Sequence, residues 1–359
     1  MDKLSGRPRD KRLQDLLDKG ANLYSYSKLS SIDECQYGAY LTYIKKDRGI
    51  HNIYDVCGSC IHDKLESIMN GSASKEDLAP TLQAALDEMD MVGIDFPKDF
   101  RGGTGIRDKW IANMSLFCRD FIKPKGNFKT EELLILKLSD NRYLQGYADL
   151  IRYNKDGTVQ VFDWKTSSQF RDEDLLHYGR QLVAYSLALE QAGYTVKTPA
   201  WIMLKYLEVT WTGKLRKGAK SESQIKKVCD RCKLGDTIKY SVTDKMNKAG
   251  FTEGEIHHVL TELCETNSTE CLPPQIREQF KVVPYVRPYP LSDSVKKECI
   301  DYINRTSDKF EELLNTGNWE PMHIEKGKDF KCLNLCSHRK TCQALKRYLN
   351  GSNDFLLKI

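Results

Sequence analysis

The sequence predicts an α/β fold in which a mixed β-sheet is flanked by helices and carries an inserted subdomain. Helical apolar spacing dominates the chain before Phe121, and strand-like alternation begins at Glu131. The middle of the chain then follows the order strand, strand, strand, helix, strand, which is typical of an α/β core. With 359 residues, of which 40% are hydrophobic, the chain can bury a sizeable core.

The elements are predicted in two blocks. Helices are expected over residues 11–19, 28–44, 54–69, 78–91 and 106–121. Strands are expected over residues 131–138, 142–153, 158–163, 201–211 and 281–289, with helices over 173–192 and 292–314. We divide the chain into residues 1–212 (helical part and sheet core), 213–279 (inserted Cys/Lys-rich subdomain) and 280–359 (end of the core and a Cys-rich tail).

Composition narrows the class of protein. The formal net charge of +5 permits a polyanionic partner without requiring one. The N-terminal segment lacks the apolar stretch of a secretory signal, so we expect a cytoplasmic protein. Because the cytosol keeps thiols reduced, its 12 cysteines are not expected to form a disulfide framework. Ligation of a metal ion or a cluster is the better explanation for them.

Two aspartates lie on neighbouring predicted strands. Asp149 ends the segment Gly-Tyr-Ala-Asp, and Asp163 follows the next apolar run, with Asn-Lys-Asp-Gly as the turn between them. If that hairpin centres on Asp156, residues whose numbers sum to about 312 face each other, as 149 and 163 do. Opposed carboxylates repel, so the pair requires a cation, and oxygen ligands favour Mg²⁺ or Mn²⁺.

Lys165 follows Asp163 by two residues and therefore shares its face of the strand. Its ammonium is suited to orienting a water and stabilising charge on a phosphate. In the competing interpretation, both aspartates lie at solvent-facing strand ends and Lys165 is an ordinary surface lysine. For an isolated D…DxK match, this interpretation would be favoured.

Three further residues support the catalytic interpretation of Asp149, Asp163 and Lys165. His62 lies on a predicted helix, where its imidazole is a suitable metal ligand, although a lone histidine is usually structural. Gln181 and Tyr185 are four residues apart on the helix after Lys165, so their side chains point the same way, toward a phosphate or a water.

The ordered set of a helix histidine, GxxD, DxK and QxxxY resembles the RecB-like branch of the PD-(D/E)XK nucleases, which have a restriction-endonuclease-like fold. The resemblance covers about residues 24–211 and 281–342. It implies that Asp149, Asp163, Lys165, Gln181 and Tyr185 form the catalytic set. It also implies a Mg²⁺ or Mn²⁺ site at His62, Asp149, Asp163 and Trp164, and a further acidic position at Glu131 or Glu132.

Three cysteines in the basic tail, Cys332, Cys336 and Cys342, form a compact trio that lacks one partner for a four-cysteine site. RecB-like nucleases with iron–sulfur clusters, such as AddB and the CRISPR adaptation nucleases, are similar in having one cysteine before the core and three after it. The resemblance implies a [4Fe–4S] cluster on Cys35 and the trio. Zinc and reduced, unliganded thiols are the alternatives.

The insertion offers a weaker metal signal. Cys229 and Cys232 form CxxC and, with Cys264, Cys271 and a histidine at 257 or 258, match a small zinc site. The second half lacks tight spacing, so free thiols are an equal alternative.

Two basic runs are suited to a phosphate backbone or to plain solvation. They comprise Lys214, Arg216, Lys217, Lys220, Lys226 and Lys227 in the insertion, and Arg339, Lys340, Lys346 and Arg347 in the tail. The sequence shows no base-reading motif, so we expect DNA binding with little sequence specificity.

The resulting hypothesis is a metal-dependent DNA exonuclease that acts on DNA ends in recombination, repair or phage DNA metabolism. The first alternative is a non-autonomous DNA-binding or nuclease subunit of a larger recombination or CRISPR complex, with a helicase or recombination partner. The intact Asp149, Asp163 and Lys165 argue against this alternative. The second alternative is a structural zinc protein with a chance acidic pair, which zinc without iron and absence of cleavage would favour.

Overall fold

The computed structural model describes residues 10–99, 101–214 and 221–351. Its strands are β1 (Asn22–Ser25), β2 (Asn127–Lys137), β3 (Arg142–Tyr153), β4 (Thr158–Lys165), β5 (Thr195–Gly213), β6 (Ser223–Asp230) and β7 (Phe280–Pro288). Its α-helices are α1 (Lys11–Asp18), α2 (Tyr26–Glu34), α3 (Gln36–Ala39), α4 (Ile53–Met69), α5 (Leu78–Met91), α6 (Gly105–Asp120), α7 (Leu175–Gln191), α8 (Leu234–Lys248), α9 (Glu253–Thr266), α10 (Pro274–Arg277), α11 (Asp293–Thr316) and α12 (Gln343–Leu349). Among the described helices, none combines the length and apolar composition needed to cross a bilayer.

The strands form one mixed sheet with the order β1-β3-β4-β5-β6. β2 pairs with the other edge of β3, and β7 with the other edge of β5. β1 runs parallel to β3 and β4 parallel to β5, whereas the remaining pairs are antiparallel. The predicted α/β fold, a mixed sheet flanked by helices, is confirmed.

Each face of the sheet is covered by helices. One apolar cluster joins α4, α5 and α6 to the sheet through buried residues such as Ile61, Met114 and Trp164. A second cluster joins α2, α7 and α11 to the opposite face through residues such as Leu182 and Trp201. The sheet is thereby held between two helical layers, and residues at its centre are shielded from water on both sides.

The predicted helix over residues 28–44 is wrong as a single element. The chain leaves the helix at Cys35, whose backbone is extended, with φ −168° and ψ 107°. Its Sγ accepts a hydrogen bond from the Gly38 amide at 3.3 Å, which caps α3, and one π-helical turn, Tyr40–Ile44, follows. The break separates Cys35 from a regular helix and places its thiol at a helix junction.

The insertion extends the same sheet. β5 continues past the core, where β6 pairs with its residues Tyr206–Gly213 in place of β4. A separate hydrophobic cluster, which begins at Leu207 and includes residues of α8, α9 and α10, covers this extension. The boundaries of the predicted subdomain at 213 and 279 stay a prediction.

Candidate active site

The hairpin of β3 and β4 has the predicted register. Leu150 pairs with Phe162 and Tyr153 with Val159, so the paired numbers sum to 312 in each case. The turn between them contains Gly157 at φ +81°, a conformation that favours glycine. Continuing this register by one residue beyond the Leu150–Phe162 pair places Asp149 across from Asp163, and the two carboxyl groups interact.

The GxxD segment occupies a gap along one edge of β3. β1 pairs with this edge up to Gln145, and β4 pairs with it from Leu150 onward. The segment from Gly146 to Asp149 therefore lies where the neighbouring strand changes. The Trp164 amide donates to Asp149 Oδ2 at 3.0 Å, so the carboxylate takes the place of a backbone partner. We call this place, where Gly146–Asp149 of β3 lie beside Asp163–Lys165 at the end of β4, the fork. It holds Asp149 beside the end of β4.

The two carboxylates are buried unequally and each has a basic neighbour. The Asp163 side chain is 7% exposed, and its Oδ2 lies 2.7 Å from Lys165 Nζ. Asp149 is 15% exposed, and its Oδ2 lies 3.3 Å from His62 Nδ1. The ammonium of Lys165 thus contacts one carboxyl group of the pair, and the imidazole of His62 contacts the other.

His62 reaches the carboxylates from the helical layer opposite α7. α4 begins at Asn52, which caps it through a reciprocal capping box with Asp55. Nearly three turns further along, the imidazole packs edge-on against the Trp164 indole, with ring centroids 6.0 Å apart. The packing of α4 on the sheet therefore fixes the position of His62.

α7 supplies the other side of the site. Gln181 Nε2 donates to the Tyr185 hydroxyl at 3.2 Å, as expected for side chains one helical turn apart. That hydroxyl lies against Gly146, where an added Cβ would come within 2.5 Å of it. The glycine of the GxxD segment is therefore required for close approach of Tyr185.

Comparison with known protein families shows the superfamily to which the chain belongs. The family model of the PD-(D/E)XK nuclease superfamily matches residues 24–343. The chain belongs to the PD-(D/E)XK nuclease superfamily. A comparison with curated proteins finds no match.

Members of this superfamily typically use divalent metals, and the donors at the fork suit one. Carboxylate oxygens with one imidazole are ligands for Mg²⁺ or Mn²⁺. Asp163 Oδ2 is buried, and its partner within the described residues is the Lys165 ammonium at 2.7 Å. No three Cys, His, Asp or Glu side chains in the described ranges are arranged around a single ion position. Lys165 and His62 instead hold the carboxylates.

Trp164 contributes through its main chain. Its indole is 4% exposed and belongs to the core beneath α4. Contact of Trp164 with a metal therefore requires its backbone carbonyl, and the side chain serves to pack His62.

The structure separates the two candidate glutamates. Glu132 lies on β2 opposite Ala148, and its carboxylate accepts from the Tyr153 hydroxyl at 2.8 Å. Glu131 lies between that pair and the Thr130–Leu150 pair, hence opposite Asp149. Its backbone is left-handed, with φ 49°, which is costly for a residue with a side chain. Burial chiefly raises the pKa of Tyr185, and the charge of Glu131 adds to that rise, whereas Glu132 is bonded to Tyr153.

Burial shifts the pKa values of Asp149 and His62 in opposite directions. It raises the pKa of Asp149 to about 8, with repulsion from Asp163 as the second cause. It lowers the pKa of His62 to about 4, although Asp163 opposes that shift. Burial alone would lower the pKa of Lys165, but attraction to Asp163 and Asp149 raises it above its ordinary value. At neutral pH the site therefore has a neutral imidazole and a charged lysine.

The pKa of Asp149 predicts a pH-dependent stability. Because its folded pKa of about 8 exceeds its ordinary value, its contribution to the free energy of unfolding is full in acid and is lost as pH rises toward 8. We expect the thermal midpoint in EDTA to fall with rising pH for wild type relative to Asp149→Asn. Added Mg²⁺ should reduce that fall, because it binds the deprotonated carboxylate. Thermal melts of both proteins from about pH 5 to about pH 9 test this, and parallel curves would contradict it.

The four predicted cluster cysteines line one cavity. Cys35, Cys332, Cys336 and Cys342 surround a space of about 40 Å³, together with Met322 and His338. Backbone amides donate to the sulfurs: Gly38 and Met322 to Cys35, each at 3.3 Å, His338 to Cys336, and Ala344 and Leu345 to Cys342. Burial raises the pKa of Cys332 to about 11, with a further rise from the other three thiols. The fold therefore brings the four predicted cysteines to one place, although no three of them are grouped as ligands of an ion within the described residues.

The insertion cysteines do not meet in the same way. Cys229 is buried on β6 with Cys232 as its neighbour, whereas Cys264 is exposed on α9 and interacts with Cys271. The two histidines of α9, 257 and 258, are exposed. The zinc prediction therefore gains no support from the fold.

The basic runs are used in several ways. Arg339 donates to the carbonyls of Ile50, His51 and Cys336, so it joins the tail to the segment before α4. Lys226 pairs with Glu208 at 2.7 Å, and Lys227 lies over the Trp211 ring. Arg216, Lys217 and Lys220 lie outside the described residues. Because the Arg339 guanidinium is bonded within the protein, the structure favours a structural role for this residue over a phosphate contact.

Proposed function

We propose that this protein is a divalent-metal-dependent deoxyribonuclease that degrades DNA from its ends. The observation that carries the proposal is the opposed pair Asp149 and Asp163, held at the fork of β3 and β4 beside Lys165. A buried pair of carboxylates with a charged lysine suits phosphodiester hydrolysis. The preference for DNA ends comes from the resemblance of the motif set to RecB-like nucleases, which are rich in end-processing enzymes.

Asp149, Asp163 and His62 would hold the metal, with the Trp164 carbonyl as a further ligand and Glu131 as the additional acid. The bound metal supplies Lewis acidity toward the phosphate and lowers the pKa of the attacking water. Hydrolysis adds that water's oxygen to phosphorus and breaks one phosphorus–ester oxygen bond. His62 is neutral at the pH of the reaction, so its nitrogen is available as a ligand without loss of a proton.

The residues around the carboxylates then act on the phosphate. Lys165 is protonated, so its ammonium orients the water and stabilises charge on the phosphate oxygens rather than accepting a proton. Gln181 and Tyr185, already bonded to each other, present an amide and a hydroxyl on the same side of the site. These two side chains position the phosphate from the α7 side.

The tail cysteines form the second part of the proposal, a [4Fe–4S] cluster on Cys35, Cys332, Cys336 and Cys342. The shared cavity and the backbone amides aimed at three of the sulfurs support it. Hydrogen bonds to sulfur are a regular feature of such sites. The cluster would be structural, because it joins the two ends of the described chain outside the catalytic fork.

The expected result for the whole proposal is degradation of linear DNA and survival of circular DNA in the presence of Mg²⁺ or Mn²⁺. Anaerobically purified protein would be tested on end-labelled linear and closed circular substrates, and Asp163→Asn serves as the matched inactive protein. Cleavage of the circle would replace the end-dependent mode with an endonuclease. No cleavage of any DNA by folded wild type would favour the alternative, a nuclease subunit that acts only in a complex with a helicase or recombination partner.

A further inference from the structure

The side chain of Lys205 is largely buried and makes no ion pair of its own within the described part of the chain. The residue is 6% exposed, and within the described ranges its side chain has neither a hydrogen bond nor an ion pair. The nearby carboxylate of Asp230 is already bonded to Lys109 at 2.9 Å and to Asn113 at 3.2 Å. The Lys205 nitrogen is not among the fully enclosed, unbonded polar atoms of the described residues, so the ammonium reaches solvent at the end of a buried stem while the carboxylate beside it is occupied.

Its place in the sheet relates it to the catalytic fork. Lys165, the last residue of β4, pairs with Met203 of β5. β6 takes over this edge of β5 at Tyr206, so Leu204 and Lys205 fall between the two partner strands. Lys205 lies about 7 Å further along β5 than the residue beside Lys165. It therefore follows the end of β4, at the junction between the core sheet and the inserted subdomain.

The loop that leaves the catalytic strand passes the same junction. The amide of Gln169, four residues after Lys165, donates to the hydroxyl of Tyr206, the residue next to Lys205, at 3.2 Å. On the other side of Lys205, the Arg231 guanidinium donates to the Leu204 carbonyl at 2.6 Å. The Leu204 carbonyl and the Tyr206 side chain, on either side of Lys205, are thus held, whereas its ammonium makes no hydrogen bond within the described residues and is left for a group from outside the chain.

We propose that Lys205 binds a backbone phosphate of the DNA strand next to the phosphate that is cleaved. The inference rests on the proposed function and adds a substrate-positioning residue to it. A polynucleotide suits the position, because its phosphates recur at short intervals along a strand that passes from the fork toward the insertion.

The state of the lysine agrees with this role. Burial lowers the pKa of Lys205 to about 8, with Asp230 opposing the shift and Lys109 adding to it. A bound phosphate would supply the opposite charge and raise that pKa again. DNA binding through this residue should therefore weaken as pH rises above about 8.

The test is the salt dependence of DNA binding by Lys205→Met. Fluorescence anisotropy with a labelled DNA oligonucleotide in EDTA, which prevents cleavage, gives the affinity over a range of salt. We expect weaker binding and a slope of log K against log salt that is smaller by about 0.7 to 0.9, the value for one lost phosphate contact. The thermal midpoint should be unchanged or higher, because the variant keeps the buried stem and removes a charge that makes no ion pair within the described residues. Lys297→Met, which removes an exposed lysine of α11, is the matched control.

The outcomes separate the two proposals. If Lys205→Met melts earlier than wild type, Lys205→Gln must show the same loss of slope with a wild-type midpoint, or the role is structural and the inference fails. If wild type binds and cleaves DNA while both variants keep its slope, the inference alone fails. If folded wild type neither binds nor cleaves DNA, the proposed function fails and this inference fails with it.

Discussion

Replacing Lys165 by methionine should lower the rate of DNA hydrolysis by about 10³-fold, because removal of one preorganised electrostatic stabiliser has an effect of this order. Its Nζ lies 2.7 Å from Asp163 Oδ2, at the centre of the fork. Methionine preserves most of the side-chain volume and removes only the charge and its donors. Single-turnover cleavage of end-labelled linear DNA at saturating enzyme measures the chemical step.

The same substitution also tests whether the Lys165 ammonium stabilises the buried charge of the two carboxyl groups. Without the ammonium, Asp163 keeps a buried charge next to Asp149, so we expect a lower thermal midpoint in EDTA and recovery on addition of Mg²⁺. Lys155→Met, on the exposed turn of the same hairpin, is the control for loss of a lysine and should behave as wild type. Near-normal cleavage by Lys165→Met would remove Lys165 from the mechanism and leave the superfamily assignment without its expected catalytic lysine.

The local part of the site was predictable from the sequence. The turn Asn-Lys-Asp-Gly fixes the hairpin, and the two-residue period of a strand then determines which side chains face each other. The sum of 312 therefore held over the pairs that the structure shows, and it places Asp149 across from Asp163. Positions set by turn and strand geometry need no knowledge of the rest of the fold.

Features that depend on distant contacts were not predictable. β1 is four residues long, and its pairing partner begins at Arg142, more than a hundred residues later. No pattern within Asn22–Ser25 indicates that it would fill the edge of β3 beside the GxxD segment. The left-handed backbone of Glu131 and the unpaired ammonium of Lys205 are likewise products of packing.

The motif residues outside the hairpin, His62, Gln181 and Tyr185, were predictable only in part. The sequence placed His62 on a helix, and the structure agrees within one residue at the start of α4. That its imidazole would reach Asp149 followed only from the resemblance to known nucleases, because helical periodicity says which face a residue is on but not what that face meets. The roles of His62, Gln181 and Tyr185 stay predictions until variants are measured.

The second large effect is expected from the cysteines of the tail. If the proposed cluster forms, Cys336→Ser should abolish iron binding and lower the thermal midpoint by about 5–10 °C, because the cluster would close a loop of nearly the whole chain. Cys264→Ser, which changes an exposed thiol in the insertion, is the control and should keep both iron and midpoint. Iron analysis and thermal melts of anaerobically purified protein measure both quantities.

Activity should fall along with stability, because the cysteine segment is bonded to both helices of the active site. Asn52, the cap of α4, donates to the Leu335 carbonyl at 2.9 Å, which ties the helix of His62 to the tail. Glu34, next to Cys35, lies 2.6 Å from Lys331 Nζ and 3.4 Å from His177 Nε2 on α7, one turn before Gln181. Loosening the tail therefore releases the supports of His62 and Gln181 together. If Cys336→Ser retains wild-type iron, this set of ligands is wrong; if it loses iron yet keeps full stability and cleavage, the cluster does not hold the active site in place.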